Sequence, residues 1–143
     1  SLKKLKMRFA HGYKHLRCGY WILDMGMKFE DLEAWKEART LVRCVYELNR
    51  DETLKRDFGL CSQIQRSAVS VMTNVAEGFE RVGTAEKLNF YNIARASAGE
   101  TRSLLYVIED NYPDCAECCN RIRQQTISIG RKTTGLITSF QKR

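Results

Sequence analysis

Hydrophobic residues recur every three or four positions along most of this chain, which is the period of helices that bury one face. The period predicts four helices, at about residues 31–49, 53–77, 84–110 and from 114 onward. The fourth alternates spacings of four and three throughout, as in helices that pack at about 20° to their neighbours. Short connections favour antiparallel neighbours. The pattern therefore predicts an all-α, antiparallel up-down-up-down four-helix bundle.

The apolar stripes and the helix ends give this prediction its detail. The stripe of the first helix is predicted to comprise Trp35, Ala38, Val42 and Val45. Gly78 is predicted to follow the end of the second helix, because glycine readily adopts the left-handed conformation that ends many helices. Asp114 and Glu117 have the spacing of a capping box, which predicts that the fourth helix starts there.

The third helix carries more apolar surface than one buried face requires. Residues 104–108 read Leu-Leu-Tyr-Val-Ile, a run wider than the roughly 100° stripe that a surface helix buries. Phe90 and Tyr91 are likewise adjacent. Either this helix is central in the bundle, or its second face contacts another subunit. We favour the second interpretation, which predicts a homo-oligomer.

The positive charge of the chain is concentrated near its ends. Residues 1–26 hold six basic side chains and one acid, within a net charge of +7 for the whole chain. They lack a sustained period, so we predict a basic N-terminal extension at 1–26 and a four-helix-bundle domain at 27–143. The extension is either a basic arm or translated sequence upstream of a start at Met27. Such an excess of positive charge attracts phosphate backbones or acidic proteins, but charge alone favours a solvated helix face.

The cysteines indicate a reducing compartment. Four of the six, Cys44, Cys61, Cys115 and Cys119, fall at or beside apolar helical positions, where free cysteine packs as a small hydrophobe. The sequence has neither a secretory apolar region nor a run of about 18 apolar residues. It therefore predicts a cytoplasmic protein with no membrane partner.

The most specific motif is QRSAVSVMTNVAEG at residues 65–78, followed by Arg81. FEDLEAW at 29–35 and FYNIARASAGE at 90–100 accompany it. Together the three motifs resemble the bacterial four helix bundle protein family, also called the 23S rRNA intervening-sequence protein family. The motif positions to which we assign a structural role are Asn74, Glu77, Gly78, Ser97 and Glu100. The chain departs from the family pattern at Met72 and Ala96, which stand where proline and glycine are usual.

The resemblance implies a four-helix bundle that assembles as a homopentamer. Members of the family are encoded inside intervening sequences of 23S rRNA genes or as free-standing genes. Similar proteins serve as accessory subunits of diversity-generating retroelements, where they bind a reverse transcriptase and nucleic acid. The resemblance therefore implies a binding protein with RNA, DNA or a larger enzyme as its partner.

Neither a catalytic centre nor a metal site is predicted. Asn74 and Glu77 are polar within an apolar run, but no histidine or second carboxylate stands beside them in the sequence, which favours a structural role. Two clusters have spacings that zinc would accept: His11, His15 and Cys18, and Cys115, Cys118 and Cys119. The first cluster lies in the extension and the second includes core positions. We therefore predict a non-enzymatic protein with no cofactor and no metal.

Basic residues off the apolar stripes are the candidates for binding nucleic acid. A guanidinium group can bond two phosphate oxygens at once. The candidates are Arg66, Arg81, Arg95, Arg102, Arg121, Arg123, Arg131 and Lys132. In an oligomer each basic patch is repeated, so we predict binding of structured RNA or DNA through symmetric patches. Two alternatives stay open: pairing of these side chains with neighbouring glutamates, and an adaptor role that docks an enzyme such as a reverse transcriptase.

Overall fold

The computed structural model describes residues 26–142, which form four α-helices and no strand. The helices are α1 (Glu33–Leu48), α2 (Phe58–Glu80), α3 (Thr84–Asn111) and α4 (Ala116–Gln141). Short 3-10 turns at Phe29–Asp31, Leu54–Arg56 and Pro113–Cys115 precede α1, α2 and α4. The predicted all-α, four-helix fold is thus confirmed. The predicted basic extension lies outside the described residues, apart from Gly26.

Each helix packs against its neighbour in the chain, and α4 also packs against α1. The diagonal pairs, α1 with α3 and α2 with α4, are not in comparable contact. This closed order of contacts is consistent with a four-helix bundle. No helix within residues 26–142 combines the length and the apolar character needed to cross a bilayer.

The core contains aliphatic side chains from all four helices. Its fully buried members include Leu41, Ile64, Leu105, Ile108 and Ile129. Burying one such side chain contributes about 1.5–3 kcal/mol, so these contacts are the main source of stability. In α2, α3 and α4, buried residues recur every three or four positions, as the hydrophobic period predicts for helices that bury one face.

The buried face of α1 agrees with the predicted one only in part, with Ala38 and Val45 buried as predicted. Leu41 and Leu48 are buried, whereas Trp35 and Val42 lie half-buried at the edge of the core. The Trp35 ring instead packs edge-on against Phe29, with 5.2 Å between the ring centroids. Spacings of three and four can be traced from several starting residues, so the period alone leaves the rotation of a short helix open.

The predicted role of Gly78 as a helix terminator is wrong. Helix α2 continues to Glu80, and Gly26 is the one glycine with positive φ among the described residues. Gly78 is buried against α3, where an added Cβ would lie 2.7 Å from two ring carbons of Tyr91. Glycine is needed here because the Tyr91 ring approaches the α2 backbone closely.

The starts of α2 and α4 also differ from prediction. Asp57 caps α2, accepting a hydrogen bond from the Leu60 backbone N–H at 3.2 Å. The Tyr112 hydroxyl donates to the same aspartate at 2.9 Å and so ties the α3–α4 connection to α2. The N-cap of α4 is Cys115, without a side-chain cap. The predicted capping box of Asp114 and Glu117 is therefore wrong, because the 3-10 turn moves the helix start by one residue.

Replacing Gly78 with alanine should lower the free energy of unfolding by about 1–3 kcal/mol, because the new methyl group would overlap the Tyr91 ring. The matched control is Gly135→Ala in α4, where an added Cβ meets no heavy atom within 4 Å. That control should raise stability by about 0.5–1 kcal/mol, since alanine restricts the unfolded chain. Urea unfolding followed by circular dichroism measures both. A stable Gly78→Ala variant would contradict the close approach.

Candidate nucleic-acid interface

A shallow groove of about 380 Å³ lies between α3 and α4. Arg95 and Arg102 line it from α3, and Arg131 lines it from α4. The other lining residues are mostly small: Ala98, Gly99, Thr126, Ile127, Gly130 and Thr134. The structure therefore brings three of the eight candidate basic residues together around one surface depression.

The helical repeat explains why these residues meet. Arg95 and Arg102 are seven residues apart, which places them on one edge of α3 about 10 Å apart along its axis. Gly99 lies between them, and Gly130 lies opposite on α4. An added Cβ at either glycine would meet no heavy atom within 4 Å. The two glycines thus leave the groove open between the arginines.

The three groove arginines are exposed and make no ion pair with any residue from 26 to 142. Each guanidinium therefore keeps its donors for solvent or a ligand. Like charges around one depression also raise the local positive potential, which attracts anions. The groove has the charge and the donors that a phosphate group requires.

Arg81 is engaged with acidic and aromatic neighbours. Its guanidinium lies 2.6 Å from Glu77 and 3.8 Å from Glu86, measured between nitrogen and carboxylate oxygen. It also lies 4.7 Å from the centroid of the Phe90 ring. Arg81 therefore pairs with neighbouring glutamates, which was the alternative to binding nucleic acid.

Arg123 is poorly placed to contact a phosphate. Its side chain is only 9% exposed and donates a hydrogen bond to Glu109. The guanidinium carbon lies over the Tyr106 ring, 4.3 Å from the ring centroid. We therefore leave Arg123 out of the candidate interface and treat it as a support for the residues around it.

Lys132 links two helices, and two remaining arginines stand apart. Lys132 pairs with Glu37 of α1, which also accepts a hydrogen bond from Ser128 at 2.8 Å. Arg66 lines a second shallow depression beside Tyr46, on the α1–α2 side. Arg121 is exposed on α4 and lines neither depression. These residues do not converge on the α3–α4 groove.

The motif residues lie mostly between α2 and α3. Asn74 donates hydrogen bonds to the Ser70 carbonyl and hydroxyl at 2.8 and 3.0 Å. The Ser70 hydroxyl in turn shares a hydrogen bond of 2.7 Å with Ser97. Glu100, by contrast, is exposed. These contacts join α2 and α3 through small hydroxyl side chains.

Sequence reasoning missed Lys87, which is 5% exposed. Its ammonium group donates to the Phe79 carbonyl at 2.6 Å and to the Gly78 carbonyl at 3.3 Å. These carbonyls belong to the last turn of α2, where carbonyl groups have no hydrogen-bond donor within the helix. Burial lowers the pKa of Lys87. No local pattern marks this lysine, because its partners are defined only once α3 packs on α2.

The cluster of Cys115, Cys118 and Cys119, whose spacing zinc would accept, lies partly in the core. Burial raises the pKa of the Cys115 thiol to about 11 and that of Cys119 to about 12. Both thiols are protonated near neutral pH, which makes them weak nucleophiles and weak metal ligands. No three His, Cys, Asp or Glu residues between 26 and 142 are placed to hold a metal ion. The cluster of His11, His15 and Cys18 lies outside the described residues.

A comparison with protein families finds one match that spans most of this fold. Residues 30–135 match the model of a family described as 23S rRNA-intervening sequence protein. The matched range includes all of α1, α2 and α3 and continues through α4 to residue 135, so it contains every residue that lines the groove. No curated protein matches the chain.

Replacing Arg123 with methionine should lower the free energy of unfolding by about 2 kcal/mol. The loss is smaller than the roughly 3–5 kcal/mol of a fully buried pair, because Glu109 keeps 32% of its side chain exposed. Arg121→Met, two positions away, should change stability by less than about 0.5 kcal/mol. Urea unfolding of both variants tests this, and equal effects would refute the supporting role of Arg123.

Native cysteines should differ in their rates of alkylation. With iodoacetamide at pH 8, Cys118 should react faster than Cys119, because Cys118 is half-buried and the Cys119 thiol is buried with a raised pKa. Mass spectrometry of digested protein gives the rate at each site. In urea the two rates should converge, and equal rates in the native protein would contradict the burial of Cys119.

Proposed function

This chain belongs to the 23S rRNA-intervening sequence protein family, and from that premise we propose that it is a non-enzymatic protein that binds structured RNA or DNA through the α3–α4 groove. The observation that carries the proposal is the convergence of Arg95, Arg102 and Arg131 around one open depression. Phosphate contacts of this kind supply most of the affinity in non-specific nucleic-acid binding.

The difference between paired and unpaired basic residues supports the groove as the contact site. Arg81, Arg123 and Lys132 are held by glutamates, and their charges are largely compensated. The groove arginines have no such partner within residues 26–142. Because a phosphate would not have to displace a carboxylate there, binding at the groove costs less than binding at the paired residues.

An antiparallel up-down-up-down arrangement of the helices is part of the proposal. Contact partners on α2 and α3 run in opposite directions: Ser67 meets Thr101, and Ser70 meets Ser97. Early and late residues of α1 and α4 meet in the same way, as with Glu37 and Lys132. In this arrangement α3 and α4 would lie side by side, and each would form one wall of the groove.

Self-association is also part of the proposal. Ile93 and Val107 on α3 are 39% and 42% exposed, as expected if this helix offers a second face to another subunit. The family resemblance implies five subunits. In such an assembly the groove would be repeated by symmetry, and weak contacts at each copy would add.

An adaptor role is the second candidate function. Phe58 and Val82, at opposite ends of α2, are 81% and 79% exposed, and in this role a protein partner would cover these side chains. In this role the chain would dock a larger nucleic-acid enzyme such as a reverse transcriptase. Docking through apolar surface should depend weakly on salt, whereas binding to phosphates should weaken steeply as salt is added.

The absence of catalysis and a cytoplasmic location complete the proposal. Asn74 and Glu77 are both engaged with residues of their own region, Ser70 and Arg81, which supports a structural role. The described cysteines are free thiols, as expected for a reducing compartment.

Replacing Arg95, Arg102 and Arg131 together with alanine should weaken binding to a structured RNA at least tenfold. The matched control replaces Arg43, Arg66 and Arg121, which are exposed, make no ion pair with described residues and carry the same total charge. Fluorescence anisotropy across a salt series measures both. Each lost phosphate contact should reduce the slope of log affinity against log salt by about 0.7–0.9. Equal losses in the two triple variants would refute the groove as the site.

A further inference from the structure

We propose that the α3–α4 seam, meaning the groove and its continuation along α3 to Tyr106, binds a single-stranded stretch of nucleic acid, with Tyr106 as the surface on which an unpaired base stacks. The three groove arginines would hold phosphates of neighbouring nucleotides on one side of that base. This inference rests on the proposed function and narrows it: within a structured RNA or DNA, the site would take an unpaired segment such as a loop or an end, and not a duplex. It follows from the position of Tyr106 and from the contacts that hold its ring.

Tyr106 extends the line of the groove arginines. It lies four residues after Arg102, which places it on the same edge of α3 about 6 Å further along the axis. Its ring also contacts Arg123 of α4, so it lies at the same helix seam as the groove. The side chain is 53% exposed. A strand that follows Arg95 and Arg102 along this seam would next meet the Tyr106 ring.

The Tyr106 ring is supported from one side. The Arg123 guanidinium lies over the ring at 4.3 Å from its centroid, and a cation in this position is attracted to the aromatic face. Glu109 holds the guanidinium by an ion pair. One face of the ring is thus covered by a fixed group while much of the residue stays exposed. A ring held in this way loses little conformational freedom when a base stacks on it.

The combination of a basic groove and a supported aromatic ring favours single strands over duplexes. In a duplex the faces of the bases are covered by stacking, whereas unpaired bases can stack on aromatic side chains. A groove with arginines alone would bind either form through phosphates. The tyrosine adds an interaction that only an unpaired base can make.

The second depression lacks this combination. Tyr46 on α1 is also exposed, at 46%, but Arg66 is the one cation that lines its depression. No guanidinium covers the Tyr46 ring among the described residues. Tyr46 is therefore the matched control for Tyr106, similar in exposure and different in surroundings.

The test compares full-length variants by fluorescence anisotropy with three probes of one length: an unstructured RNA strand, the corresponding DNA strand and an RNA duplex. The wild-type protein should prefer the strands. Tyr106→Leu should weaken strand binding about tenfold and change duplex binding less than about twofold. Tyr106→Phe and Tyr46→Leu should both bind strands as the wild type does. Circular dichroism confirms that each variant is folded.

A direct signal of stacking comes from a strand that carries one 2-aminopurine, whose fluorescence falls when its base stacks. Binding should quench this signal with the wild type and with Tyr106→Phe, and not with Tyr106→Leu. Similar affinity for RNA and DNA strands, or a preference for RNA, would both support the inference, since a preference adds a contact to the 2′-hydroxyl.

Failure of this inference is distinguishable from failure of the proposed function. If Tyr106→Leu weakens strands and duplex equally, or neither, while the triple arginine variant loses binding, the groove binds phosphates and the stacking site is refuted. If the triple arginine variant binds every probe as the wild type does, the groove itself is refuted.

Discussion

The close packing of α2 against α3 is the contact on which the rest of the structure depends. Gly78 allows the Tyr91 ring to approach the α2 backbone, and hydroxyl side chains of the two helices satisfy each other between them. Small residues bring the helices near, and their hydroxyl groups would be costly to bury without such partners. Lys87 strengthens the same interface by donating to the last carbonyls of α2. With one side of α3 fixed in this way, its opposite edge is held at a constant position beside α4.

That opposite edge carries two kinds of charged residue, separated by burial. Arg123 is nearly excluded from water, so it requires the carboxylate of Glu109 to offset its desolvation. Arg95, Arg102 and Arg131 remain in water and need no internal partner. The paired residue supports the seam, and the unpaired residues give it a positive charge that a ligand can use. A single seam between two helices thus combines a structural ion pair with a binding surface.

The proposed nucleic-acid site and the proposed subunit contacts use different parts of α3. The groove faces α4, whereas Ile93 and Val107 lie on the exposed surface of the helix. A subunit contact at Ile93 and Val107 would therefore not by itself cover the arginines. Repetition of the groove would then convert weak contacts with phosphates into useful affinity.

The sequence by itself determined the four helices, because a period of 3.6 residues with few glycines and prolines allows little else. It also determined most of the buried faces of α2, α3 and α4, and its motifs indicated the family. Only the tertiary structure decided the rotation of α1, the role of Gly78, and which basic residues are available to a ligand. The physical reason is distance along the chain: Lys132 meets Glu37 across 95 residues and Arg123 meets Glu109 across 14. Such partners become neighbours only when the helices pack, so local spacing carries no record of them.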